Sequence, residues 1–131
     1  DHTPVDEDAK TLPFAEAEPG ATGLELLLGL ALKWGEDSGA GLRRALASVT
    51  SEPVRVLGAS LGSLAASAGR LVEGGVADLC VFDPDARWPV TNVALRSQGK
   101  YTPFAFDTSG VELPARVRYT LVAGQLAHEV A

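Results

Sequence analysis

The sequence predicts a mixed α/β polypeptide with helices first and strands last, either an α+β arrangement or the junction of two domains. Three observations carry this. Residues 22–58 hold three helical patterns, with apolar side chains recurring at spacings of three and four. Residues 116–121 alternate polar and apolar, as the two faces of a strand do. Between them, residues 59–75 are rich in Ala, Ser and Gly and keep neither period, which marks a seam.

Residues 1–21, with Pro4, Pro13, Pro19 and the acidic run Asp6-Glu7-Asp8, read as a long loop with at most one helical turn. Thr22-Gly23-Leu24-Glu25 fits a capping box, Thr22 accepting from the backbone and Glu25 reaching back. The helix after it is expected to bury Leu24, Leu27, Leu28, Ala31 and Leu32, and Gly35 and Gly39 bracket its end. A second helix runs near Leu42 to Val49. A third spans Glu52 to Leu57, with Pro53 in its first turn and Gly58 just past its end. Val76 to Phe82 reads as a buried strand closed by the turn Asp83-Pro84-Asp85, and Pro89 confines Trp88-Pro89-Val90 to an edge. Arg116 to Leu121 is a half-exposed strand, and Ala123-Gly124 turns it into a hairpin with Gln125 to Val130.

Bulk properties exclude several classes. A net charge of −6 disfavours a nucleic-acid backbone as partner. The longest apolar stretch, Leu26 to Leu32, falls far short of the ~20 residues that span a bilayer, so no membrane segment is expected. The single cysteine, Cys80, excludes an intrachain disulfide and is expected to be a buried, inert thiol in a cytoplasmic protein. No methionine occurs, so the sequence is expected to be a piece of a longer polypeptide.

Five segments carry a family likeness. Asp1-His2-Thr3-Pro4 resembles the Asp-His-x-Pro signature that follows the eighth barrel strand in dihydroorotases. Pro19-Gly20-Ala21-Thr22-Gly23-Leu24-Glu25 is similar to the glycine-rich lead into the eighth barrel helix. Gly69-Arg70-Leu71 with Glu73-Gly74-Gly75-Val76-Ala77-Asp78-Leu79 resembles a segment common to amidohydrolases. Lys100-Tyr101-Thr102-Pro103-Phe104 and Val117 to Gly124 resemble the family's closing segments. The resemblance implies the C-terminal part of a metal-dependent (β/α)8 barrel in residues 1–58 and of a small β-sandwich in residues 59–131.

It further implies reversible ring closure of N-carbamoyl-aspartate to dihydroorotate, in pyrimidine synthesis, with zinc as the metal. By the match Asp1 is both metal ligand and general acid/base, a role suited to a carboxylate whose second oxygen takes a proton. Pro19 and Gly20 then line the substrate pocket through backbone atoms. From residue type alone, Asp1 reads as a solvated terminus, His2 and His128 as surface histidines, and Pro19-Gly20 as a structural turn.

Two departures matter. Where the family carries a substrate-binding histidine this chain has Val5, which cannot donate a hydrogen bond and moves the sequence toward non-catalytic relatives that scaffold aspartate carbamoyltransferase. A whole barrel needs about 250 residues. There is also no His-x-His motif here, and zinc catalysis needs three protein ligands. The chain alone is therefore expected to be inactive and to associate with a missing N-terminal portion or with itself. Three readings stay open: a competent dihydroorotase, a pseudoenzyme scaffold, or another cyclic amidohydrolase such as a hydantoinase or allantoinase.

Overall fold

The structure, a computed structural model, describes residues 2–105 and 111–130. Asp1 lies outside the described residues. The chain begins as a long loop containing a short 3-10 turn at Asp8–Lys10, where the Asp8 carboxylate accepts from the Ala9 amide at 2.9 Å. Acidic residues are favourable there because the first amides of a turn lack partners.

Another 3-10 turn, Leu24–Leu26, runs directly into helix α1, Leu27–Asp37. Helix α2 spans Gly41–Val49 and α3 spans Ser51–Leu57, with Gly58 at its end, much as the glycine and proline punctuation predicts. The face that α1 buries differs from the expected stripe. Leu26, Gly29, Leu32 and Gly35 are buried, whereas Leu24 and Leu27 are 67% and 52% exposed. Gly29 and Gly35 set this rotation. A Cβ on Gly29 would lie 3.1 Å from Leu113, and one on Gly35 would lie 2.8 Å from the Ala45 Cβ. The helix turns its small residues toward its neighbours and leaves the leucines on the other side bare.

The capping box does not form. No side chain caps the Leu24–Leu26 turn from Gly23, or α1 from Leu26. Thr22 and Glu25 are instead committed to the segment around Arg96 to Gly99.

Three strands make one antiparallel sheet among the described residues: β1 (Leu79–Pro89), β2 (Glu112–Val122) and β3 (Gln125–Glu129), in the order β1-β2-β3. Strand β1 does not stop at Asp83-Pro84-Asp85. It bulges there, since Asp83 pairs with Arg116 and the next pair is Arg87 with Pro114. Pro84 has no amide to give to a ladder, and the Asp83 carboxylate accepts instead from the Asp85 and Ala86 amides at 3.1 and 3.3 Å. As the edge of the sheet, β1 leaves Cys80 exposed and Val81 48% exposed, so the buried strand and buried thiol of the sequence reading are corrected. The β2–β3 hairpin turns on Ala123 and Gly124, both with positive φ (49° and 79°), a geometry that matches the right-handed twist of paired strands.

Two apolar clusters hold the chain together. Leu26, Val90, Leu95 and Leu113 form one, and Leu32, Ala45 and Ala115 the other. Each joins residues from both sides of Gly58, because α1 packs against β2. Burying a leucine side chain fully contributes about 1.5–3 kcal/mol, so Leu26 and Leu113, both 0% exposed, are among the strongest ties between helices and sheet.

Candidate functional site

The loop His2 to Val5 is fixed from two directions. From one side the Thr3 amide donates to the Ala21 carbonyl at 3.0 Å. From the other, the Tyr101 amide donates to the Val5 carbonyl at 3.2 Å. The triangle closes where the Thr22 amide donates to the Tyr101 carbonyl at 2.8 Å. Segments that begin at positions 1, 19 and 100 of the sequence thus meet backbone to backbone.

His2 supplies what the absent capping box would have. Its Nδ1 accepts from the Gly23 and Leu24 amides, each at 3.2 Å, where the Leu24–Leu26 turn opens. With Nδ1 accepting, Nε2 is left as the ring's donor. Beside His2 opens a groove of about 440 Å³, lined by Gly23, Leu24, Leu27, Pro103 and Phe104 among others. The exposed leucines of α1 therefore form a wall continuous with the loop.

Gly20 has φ +123°, a backbone region that glycine tolerates and side chains avoid. A Cβ there would meet the Thr3 carbonyl oxygen at 2.5 Å and the Thr3 Cβ at 2.9 Å. The requirement for glycine at this position is thus met by the chain's own Thr3. Pro19 is exposed beside it. Val5 is 8% exposed, a packed side chain whose carbonyl holds Tyr101.

Residues that the sequence reading gave another role, or none, hold the loop's surroundings. The Glu25 carboxylate accepts from the Arg96 and Ser97 amides at 2.8 and 2.9 Å. Thr22, 1% exposed, donates its hydroxyl to the Gly99 carbonyl and lies 3.3 Å from the Ser97 hydroxyl. Lys10 reaches the Glu18 carbonyl and sits 4.7 Å from the centre of the Tyr101 ring. The only sequence signal for these contacts was the polar Thr22 and Glu25, which local capping explained equally well.

A second convergence ties the sheet. The Asp78 carboxylate accepts from the Ala123 amide at 2.7 Å, the Gly124 amide donates to the Ala77 carbonyl at 3.0 Å, and Leu79 pairs with Leu121. Among the described residues no three His, Cys, Asp or Glu side chains come together to hold a metal, and His2 spends its Nδ1 on the backbone. The described residues do not by themselves fit a zinc ion. None of the described helices is long and apolar enough to cross a membrane.

No family model matches the chain. A D-hydantoinase (dihydropyrimidinase) from a Thermus species superposes with a TM-score of 0.77 at 24% identity, covering 98% of this chain and 27% of that one. A second D-hydantoinase structure gives 0.74 at 18% identity, covering 95% and 25%. These likenesses show the fold alone: it is that of about a quarter of a D-hydantoinase chain. A dihydroorotase-like protein of Pseudomonas aeruginosa is 41% identical over 128 residues, 98% of this chain and 27% of that protein. A dihydroorotase of Citrifermentans bemidjiense is 32% identical over 129 residues, 98% of this chain and 28% of that protein. The chain is thus similar to dihydroorotases and dihydroorotase-like proteins, matching a C-terminal portion of them and spanning about a quarter of their length.

Proposed function

We propose that this chain is the C-terminal portion of a dihydroorotase-like cyclic amidohydrolase that interconverts dihydroorotate and N-carbamoyl-aspartate in the cytoplasm. The observation that carries the reading is the convergence of three segments at Thr3–Ala21, Thr22–Tyr101 and Tyr101–Val5, three of the five in which the family likeness lies. In this reading residues 1–58 close a (β/α)8 barrel, and residues 59–131 contribute to a β-sandwich beside it.

Asp1 would present a carboxylate that takes and returns a proton, and serve as one zinc ligand. Pro19 and Gly20 would present backbone atoms to the substrate. The other ligands of a zinc ion would come from outside this chain, and the 131 residues alone would be inactive. In the full-length protein with added zinc, dihydroorotate hydrolysis is expected. Asp1→Asn should lower kcat by about 10²–10⁴-fold, the usual worth of a positioned proton carrier. Preferential turnover of hydantoin or allantoin would move the assignment to another cyclic amidohydrolase.

A second reading is favoured by Val5. Its side chain is packed inward where the family presents a histidine, and the P. aeruginosa relative at 41% identity is named dihydroorotase-like. Here the protein would be a non-catalytic partner that stabilises aspartate carbamoyltransferase. A hydrolysis rate equal to buffer, with co-purification of carbamoyltransferase, would replace the first reading by this one.

A further inference from the structure

The loop His2 to Val5 is pressed against a segment about a hundred residues further along, and the contact leaves no room for a side chain. Gly99 is buried. A Cβ on it would lie 2.8 Å from the Pro4 Cβ, 2.8 Å from the Val5 nitrogen and 2.9 Å from the Pro4 carbonyl carbon. Two of these three are backbone atoms, so the loop itself would have to shift.

Gly99 is in turn held on the other side. Its carbonyl accepts the buried Thr22 hydroxyl, and the Glu25 carboxylate grips the Arg96 and Ser97 amides just before it. The Lys100 ammonium ties the same segment to the Leu95 carbonyl at 2.8 Å, and the Tyr101 amide then reaches the Val5 carbonyl. Each end of the arrangement is anchored just before α1, so the segment behaves as a clamp with Thr22 and the Leu24–Leu26 turn as its base.

We infer that Arg96 to Tyr101 is a positioning clamp for the His2–Val5 loop, with Gly99 and Glu25 its positioning residues. The clamp holds the loop by shape at Gly99 and by charge-assisted hydrogen bonds at Glu25. The proposal rests on the reading of Asp1 as a site residue for its consequence in catalysis, though not for the clamp itself. Displacing a reacting group by ~1 Å costs on the order of 100-fold in rate, so the clamp bears on kcat more than on KM.

The test uses Gly99→Ala and, as a milder change, Glu25→Gln in the full-length protein. Glu25→Gln leaves one accepting oxygen and turns an amide NH₂ toward the second backbone N–H. Hydrogen exchange is followed at the Thr3 and Tyr101 amides, with Tyr119 and Thr120 of β2 as the reference. The expected result in both variants is protection at Thr3 and Tyr101 falling by roughly tenfold or more while β2 is unchanged. In a hydrolysing protein, kcat should fall with KM nearly constant.

Unchanged protection at Thr3 and Tyr101 in Gly99→Ala would overturn the clamp. So would a loss spread equally to β2 in Glu25→Gln, since that would make the contact a general support of the fold. The exchange readout needs no substrate. If wild type fails to hydrolyse dihydroorotate, the functional reading falls while the clamp is still judged by exchange.

Discussion

Gly35 offers a direct test of how α1 and α2 fit. Replacing glycine by alanine in a helix interior ordinarily stabilises by about 1 kcal/mol, less near a helix end. Here the added methyl would stand 2.8 Å from the Ala45 Cβ and 3.0 Å from the Gly41 carbonyl oxygen. Neither neighbour can swing aside, because one is fixed directly to its backbone and the other belongs to it. Overpacking of this kind costs about 1–3 kcal/mol, so Gly35→Ala should destabilise by roughly 0–2 kcal/mol net. Ala45→Gly removes a fully buried methyl and a good helix former, losing about 1.8 kcal/mol from the two effects together. Joining the two moves the methyl from one helix to the other and cancels the propensity terms. The double variant should therefore be more stable than additivity allows, by about 1–3 kcal/mol. Urea unfolding of the full-length protein with an unchanged m-value measures each corner of the cycle. A double variant that is additive to within about 0.5 kcal/mol would refute the claim that these two Cβ positions compete for one space.

Two further outcomes can be checked in solution. Arg87 donates hydrogen bonds of 2.9 and 2.8 Å to the two Glu36 oxygens, and this guanidinium holds the carboxyl below its ordinary value of 4.5. A depressed folded-state value contributes stability that is complete above pH 4.5 and is lost as pH falls through the lowered value. The difference in melting temperature between wild type and Glu36→Gln should accordingly be small, as for any exposed pair, and should shrink on acidification. A pH-independent difference would show that the pair is only a contact of shape. Cys80 is exposed on β1, yet partial burial pushes its thiol above the ordinary 9.0. Its thiolate should be scarce at neutral pH, and a disulfide reagent should label it more slowly than free glutathione, with the gap closing as pH rises. Faster labelling than glutathione would contradict this.

Local chemistry was legible in the sequence wherever it was decided locally. Pro53 in its first turn and Gly58 just past its end mark α3 because one residue is missing an amide and the other lacks a Cβ, and neither fact depends on distant residues. Ala123-Gly124 likewise fixed the hairpin. The failures lie where a distant partner outbid a local one. Thr22 and Glu25 have the spacing of a capping box, but their partners lie 77 and 71 positions away. The apolar stripe of α1 was misplaced by rotation, because the sequence shows which residues are leucine without showing that Gly29 and Gly35 mark the contact side. For the candidate site, three of the segments that carry the family likeness do meet, and the physical reason for Gly20 lay in Thr3, which no pattern near Gly20 announces.

The distance between the clamp's two halves has a consequence for biosynthesis. Thr22 must wait for Gly99, and Val5 for Tyr101, to leave the ribosome before either bond can close. Helices α1 to α3 can form from neighbours already synthesised, so the loop bearing His2 remains unanchored on one side while they do. Shortening translation products from their C-terminal end should therefore abolish the grip on the loop abruptly, once the cut passes Tyr101, while these helices keep their local contacts.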